Sequence, residues 1–215
     1  MNTIVVKKLN QVSYNQTWQE MQNFTNLRDE QTQDQLWVLE HPPVYTQGQA
    51  GKPEHLLNTS HDIPLVQSDR GGQITYHGPG QIVIYLLLDL KRLKLSIRQL
   101  VTTIEKSVIK TLGQYNIQAY SDCSAPGIYV DIDKIRHKIC SIGLRVRRGC
   151  TYHGLALNYN MDLTPFSFIN PCGFDKLAIT QISNLNKSVS ESNIITTLCA
   201  ELTNLLGYNQ VIETH

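Results

Sequence analysis

Apolar positions along the chain follow two different periods, and these predict the order of elements. Residues 3–9, TIVVKKL, read as a first strand. In 14–30, Trp18, Met21, Phe24 and Leu27 recur every third position in a polar background, which predicts a surface helix. Leu36 to Gly48, LWVLEHPPVYTQG, reads as a strand that stops at Pro42–Pro43 and briefly resumes. Residues 49–62 read as loop. Gln81 to Leu88, QIVIYLLL, is a continuous apolar run of strand length and predicts a buried central strand. From Ser96, apolar Ile97, Leu100, Val101, Ile104, Val108, Ile109 and Leu112 recur at helical spacing, with Gly113 as the expected stop.

Further on, Ile128 to Ile132 predicts a short strand and Lys134 to His137 a charged turn. Ile139 to Val146 and Thr151 to Asn158 predict two strands joined by a hairpin-like turn near Arg147–Gly149. Residues 164–175 read as loop, with Pro165, Pro171 and Gly173. A last helix is expected over 188–206, with Ser190 as its cap. Strands and helices mix without strict βαβ alternation. The expected class is therefore α+β: a mixed, mainly antiparallel sheet flanked by helices. No repeat or linker divides the chain, so residues 1–215 are expected to form one domain.

Composition narrows the class further. A chain of 215 residues can bury roughly 70% of its unfolded surface and needs no disulfide to fold. With 41% hydrophobic and 17% charged residues it suits a soluble globular protein. A net charge of +1 gives no global attraction to nucleic acid. The apolar run Ile82 to Leu88 is far short of the roughly 20 residues that span a bilayer, and the N-terminal apolar stretch is too short for a signal peptide. A cytoplasmic location, with no membrane and no nucleic acid as partner, is the expectation. The five cysteines (Cys123, Cys140, Cys150, Cys172 and Cys199) include no CxxC pair, so no metal and no cofactor are expected. In a reducing compartment a cysteine is free to act as a nucleophile.

Three segments could carry chemistry. Arg70 to Gln81, RGGQITYHGPGQ, holds four glycines and a proline, which bring backbone close to something. It reads either as a tight loop feeding the central strand or as a glycine-lined wall against a thin substrate. Thr75 and His77 share a side if the segment is extended. Its GxG precedes the strand, so a dinucleotide fingerprint does not fit. Lys138 to Asn158, KICSIGLRVRRGCTYHGLALN, interrupts two strands with small residues, as close approach of a ligand requires. His153 there is either an ordinary hydrogen-bonded histidine or an orienting group. Asn170 to Gly173, NPCG, sets Cys172 on a loop between a proline and a glycine. Cys199, among Leu198, Ala200 and Leu202, looks structural; Cys172 does not.

Together, RGGQITYHGPGQ, KICSIGLRVRRGCTYHGLALN and NMDLTPFSFINPCG, with HPPVYTQG upstream, closely resemble the bacterial octanoyl-[acyl-carrier-protein]–protein N-octanoyltransferase family. The resemblance runs from about Leu36 to Gly173. It implies Cys172 as the nucleophile and Lys138 as its activating lysine. It implies an acyl-binding set of Arg70, Gly71, Gly72, Gln73, Ile74, Thr75, Tyr76 and His77, with Ser141, Ile142, Gly143, Gly154, Leu155 and Ala156. It also implies a lipoate/biotin protein ligase-like fold with an acyl tunnel. The implied donor is octanoyl-acyl carrier protein. The implied acceptors are lipoyl domains of 2-oxoacid dehydrogenases and glycine cleavage H protein, served by a monomeric enzyme. Cys140 stands where many members carry alanine, and adds a second thiol near the expected site.

The expected chemistry is transfer in two steps through a cysteine thioester, with Lys138 acting first as acid and then as base. Two basic runs, Lys91, Arg92, Lys94 and Arg98, and Arg145, Arg147 and Arg148, read as solvated surface or as docking sites for acidic carriers. Three other readings compete: an ATP-dependent lipoate-type ligase, a Cys–His hydrolase, and a non-catalytic module that binds acylated carriers.

Overall fold

The computed structural model describes residues 2–58, 62–123, 125–170 and 177–214. Cys172, the expected nucleophile, lies outside the described residues. The first element is strand β1 (Thr3–Gln11), followed by helix α1 (Tyr14–Leu27). The Leu36–Gly48 pattern forms β2 (Asp34–Glu40) and β3 (Val44–Gln47), parted at the proline pair as expected. Next come β4 (Leu65–Gln67), β5 (Ile74–His77) and β6 (Gln81–Leu87). Helices α2 (Leu90–Leu93) and α3 (Ile97–Gln114) follow, then β7 (Tyr120–Asp122) and β8 (Ala125–Ile132). The long pair β9 (Ile135–Arg147) and β10 (Cys150–Asn158) leads to β11 (Ala178–Ile179). The chain ends with α4 (Ile182–Leu185), α5 (Glu191–Leu205) and β12 (Gln210–Thr214).

The main sheet runs β12-β1-β2-β6-β10-β9-β8-β7, with β11 added beside β9. Its middle is antiparallel, and parallel pairs occur at β12-β1, β1-β2 and β11-β9. A smaller sheet, β4-β3-β5, lies apart from it. This is the expected α+β architecture.

β6 shows why the central apolar run has no alternation. Successive side chains leave a strand on opposite faces. Ile82, Ile84 and Leu86 join Leu100, Ile104, Val108, Leu198 and Leu202 of α3 and α5 on one face. Val83, Tyr85 and Leu87 join Met21 of α1, with Trp37, Tyr152 and Ala156, on the other. Both faces are covered, so every position is apolar. Truncating a core residue such as Ile84, fully buried here, should cost about 2–5 kcal/mol.

Local chemistry sets the ends of the elements. Ser96 and Gln99 form a reciprocal capping box at the start of α3, and the Ser190 side chain caps α5. Gly113 does not end α3, which continues to Gln114; the left-handed residue beyond it is Asn116. In α1 the buried positions are Tyr14, Thr17, Met21 and Thr25; of the expected stripe Met21 is buried, Trp18 and Phe24 are half-buried against the core, and Leu27 is exposed. The Trp18 indole N–H donates to the Asp69 carboxylate at 2.8 Å, which holds the ring half-buried against the edge of the core cluster. The charged segment 134–137 is mostly strand: Asp133 and Lys134 alone take the left-handed turn. A second such turn at Arg148–Gly149 joins β9 to β10 as expected.

Candidate active site

A cavity of about 50 Å³, partly open to solvent, lies between the start of α1, the small sheet and the centre of the main sheet. Arg70, Gly72, Gln73, Ile74, Thr75 and His77 form one wall. Lys138, Ser141, Ile142 and Gly143 of β9 and His153, Gly154, Leu155 and Ala156 of β10 form another. Two segments more than sixty positions apart thus face each other. The glycine-rich segment reads as loop by composition, yet residues 74–77 are the strand β5, with Thr75 and His77 on the cavity side.

Gly71 and Tyr76 do not line the cavity. Gly71 donates its N–H to the carbonyl of Leu144 at 2.9 Å, which ties the loop to β9. Tyr76 packs on Tyr45 and Phe166 behind β5. Tyr14, Val83 and Tyr85 line the cavity but carry no sequence signal for it: Tyr14 opens a helix, and the other two sit inside an apolar run. The small residues have separate reasons. A Cβ on Gly154 would lie 2.0 Å from the Ile84 carbonyl oxygen, so glycine there serves the approach of β6. A Cβ on Gly143 would lie 3.0 Å from the Gly71 oxygen.

Lys138 is buried, 2% exposed, and its Nζ donates to the carbonyl of Pro126 at 3.0 Å. Its backbone is in register with Ile179 of β11, and Thr180 donates its N–H to the Lys138 carbonyl at 3.0 Å. β11 is therefore tied alongside this lysine. Asn170 donates its N–H to the carbonyl of His55 at 2.8 Å.

Arg70 is a buried clamp. Its guanidinium donates to the Thr46 carbonyl at 2.6 Å, the Gln73 carbonyl at 2.7 Å, the Gly71 carbonyl at 2.9 Å and the Thr46 hydroxyl at 2.9 and 3.0 Å. It holds the turn around residues 70–73 against β3 and places a positive charge beside the histidines.

His41, His77 and His153 surround the ring of Tyr14, which stacks on His77 and His153 and meets His41 edge-on. Burial weakens the hold of all three imidazoles on a second proton. His77 is pushed down to about 3 by burial and by the neighbouring His41 and Arg70. His41 is pushed down to about 4, mainly by burial. His153 is lowered by burial, although Asp69 works in the opposite direction. The hydrogen bonds fix the tautomers. His77 donates from Nδ1 to the Gln81 side-chain oxygen at 2.7 Å, and its Nε2 accepts from the Thr46 hydroxyl at 3.3 Å. His41 donates from Nδ1 to the Val12 carbonyl at 2.7 Å and accepts at Nε2 from the Tyr85 hydroxyl at 2.7 Å. His153 donates from Nε2 to Asp69 at 2.9 Å. Burial raises the Asp69 carboxyl, but hydrogen bonds from His153, Tyr152 and Trp18 outweigh it and hold the group well below the usual carboxylate range.

Cys140 is fully buried in the core, and burial pushes its thiol up to about 12. The second thiol near the expected site is thus a packing residue. Cys199 is likewise pushed up to about 12 by burial.

The lipoyl protein ligase A/B catalytic domain model matches residues 12–203. An octanoyltransferase of Vibrio vulnificus is 56% identical over 210 residues, covering 98% of this chain and 94% of its own. An octanoyltransferase of Actinobacillus succinogenes is 53% identical over 213 residues, covering 96% of each chain. Among solved structures, a bipartite lipoate protein ligase of Thermoplasma acidophilum superposes with a TM-score of 0.77 at 14% identity, covering 98% of this chain and 86% of that one.

Proposed function

Because the chain belongs to the octanoyltransferases, within the lipoyl protein ligase A/B catalytic domain family, we propose that it carries octanoyl as a thioester on Cys172 before passing it on. The overall reaction is octanoyl transfer in lipoate biosynthesis. The donor in this reading is octanoyl-acyl carrier protein, and the acceptor is a lysine of a lipoyl domain or of glycine cleavage H protein. Residues 1–215 act as one catalytic domain, as a monomer in the cytoplasm.

One observation supports the reading above others: Lys138 stands buried in the wall of the cavity, in register with the strand that begins only six positions after Cys172 (178 − 172). A free thiol, with pKa about 8.5, is mostly protonated at neutral pH. An ammonium beside it favours the thiolate. In the first step the Cys172 sulfur attacks the octanoyl carbonyl, the carbon–sulfur bond to the carrier breaks, and Lys138 gives its proton to the departing thiol. In the second step an amine attacks the new thioester, Cys172 leaves as thiolate, and Lys138 takes a proton back. The apolar lining from Ile74, Val83, Ile142, Leu155 and Ala156 suits the alkyl chain, each buried CH₂ contributing about 0.8 kcal/mol. Arg70, Gly72, Gln73, Thr75, His77, Ser141, Gly143 and Gly154 shape the polar end of the slot.

The basic runs suit docking of acidic carriers. Lys91, Arg92 and Arg148 border one depression together with Arg28 and the acidic Asp29, Glu30 and Asp89, and Leu90 donates its N–H to the carbonyl of Gly149 at 3.0 Å. Charge attraction of this kind weakens with salt. A KM for the carrier that rises with ionic strength supports docking there; a KM indifferent to salt removes it. The test of the reaction itself is turnover of purified octanoyl carrier and acceptor domain without ATP. Product formed only with ATP and free octanoate would replace the transferase with a ligase, and free octanoate released without acceptor would replace it with a hydrolase.

A further inference from the structure

The pair Asp69–His153 has no part in the scheme above, yet its geometry is that of a base backed by a carboxylate. His153 approaches a carboxylate oxygen at 2.9 Å through Nε2, so Nε2 carries the proton and Nδ1 holds a lone pair. That Nδ1 is buried and has no hydrogen-bond partner among the described residues. His41 and His77 are filled at both nitrogens. A buried acceptor left empty destabilises the fold, and such a group calls for a donor. His153 also sits at φ 59° within β10, a left-handed conformation that strains a residue other than glycine. Asp69 is itself fixed by donors from Trp18, Gln22 and Tyr152. His153 shares its cavity with Lys138.

Proton bookkeeping supplies the donor. An acceptor lysine, pKa about 10.4, arrives as an ammonium with three N–H bonds and leaves as an amide with one. Two protons must go. Lys138, neutral once it has protonated the departing carrier thiol, takes only one of them.

We propose that His153 takes the other, its Nδ1 accepting a hydrogen bond and then a proton from the incoming lysine ammonium while Asp69 fixes the tautomer and stabilises the imidazolium. This rests on the thioester reading given above. The neutral amine then attacks the thioester carbon. A carbon–nitrogen bond forms, the carbon–sulfur bond breaks, and its electron pair leaves on the Cys172 sulfur. The second amine proton passes to Lys138, and the imidazolium returns its proton to solvent as product departs. His153 is thus a catalytic residue of the second half-reaction only, and Asp69 its positioning residue.

The test separates the half-reactions in single turnover. Formation of octanoyl-enzyme from octanoyl carrier is followed by intact mass, and the isolated octanoyl-enzyme is then mixed with acceptor domain. Asp69→Asn and His153→Asn are the variants; asparagine tolerates the left-handed backbone and takes up no proton near neutral pH. Both should form octanoyl-enzyme within about twofold of the unmodified rate and slow the second step about a hundredfold or more. Equal slowing of both steps, or an unslowed second step, would overturn the inference while leaving the thioester reading standing. No octanoyl adduct on the unmodified enzyme would overturn both. Nitrogen-15 shifts of His153 in the unmodified enzyme give a check that needs no variant: Nδ1 should be unprotonated, and an Nδ1–H tautomer would overturn the assignment.

Discussion

Gly127 leaves room for Lys138. At φ 139° it faces the lysine so closely that a Cβ would lie 2.5 Å from Cε and 2.9 Å from Nζ. Nothing in the sequence marks Gly127 as part of the site, because its contribution is the absence of a side chain. Gly127→Ala should displace the ammonium and strain the strand. The expected loss is about a hundredfold in octanoyl-enzyme formation, with about 1–3 kcal/mol of stability. Rapid-quench mass spectrometry and a denaturant titration measure the two. An alanine variant with unchanged acylation would show that the lysine does not need this position.

Lys138→Ala removes the cation proposed to stabilise the Cys172 thiolate. The pH midpoint for alkylation of Cys172 by iodoacetamide should move upward, read by peptide mass mapping. An unchanged midpoint would take the lysine out of thiolate activation.

The buried histidines make stability depend on pH with a definite sign. His77 and His41 titrate near 6.5 when unfolded but are pushed down to about 3 and about 4 in the fold. Between these values the unfolded chain binds more protons. Stability is therefore full above about pH 6.5 and falls as pH drops from 6.5 towards 4, by on the order of a few kcal/mol. Urea titrations at half-unit intervals would show the slope. His77→Asn should flatten it relative to its own value at pH 7.5. A profile level from pH 7 to pH 4.5 would mean that the histidines are not held neutral.

Cys140 should stay unreactive in the folded protein, since it is fully buried and burial pushes its thiol up to about 12. Reaction with a chromogenic disulfide at pH 7.5 should reach it only after unfolding. Labelling of Cys140 at native rates would contradict the burial described for it.

Much of this was legible in the sequence, and the misses have physical reasons. β6 and α3 show themselves because the same side chains that set the period also fill the core. The two cavity walls are legible through their glycines and small residues, although Gly154 is small for the sake of the Ile84 carbonyl. In α1 the expected stripe is only partly buried: Met21 is in the core, Trp18 is half-buried with its indole N–H on Asp69, and Thr17 and Thr25, polar by type, are buried instead of Leu27. β5 was hidden by glycines on both sides of it. The cluster of His41, Tyr85 and Tyr14 around His77 and His153 could not be read from spacing. Its members come from three separate strands, a helix and the connection between β2 and β3, and only the fold brings them within stacking distance.

The central proposal is that octanoyl passes through a covalent bond to sulfur at position 172. Incubating the enzyme with octanoyl carrier, without acceptor, and mapping the product by tandem mass spectrometry tests it most directly. The expected result is a single octanoyl group, labile to hydroxylamine, on Cys172 and absent from Cys172→Ala. Octanoyl found on another residue, or an unmodified enzyme that still transfers at full rate, would contradict it.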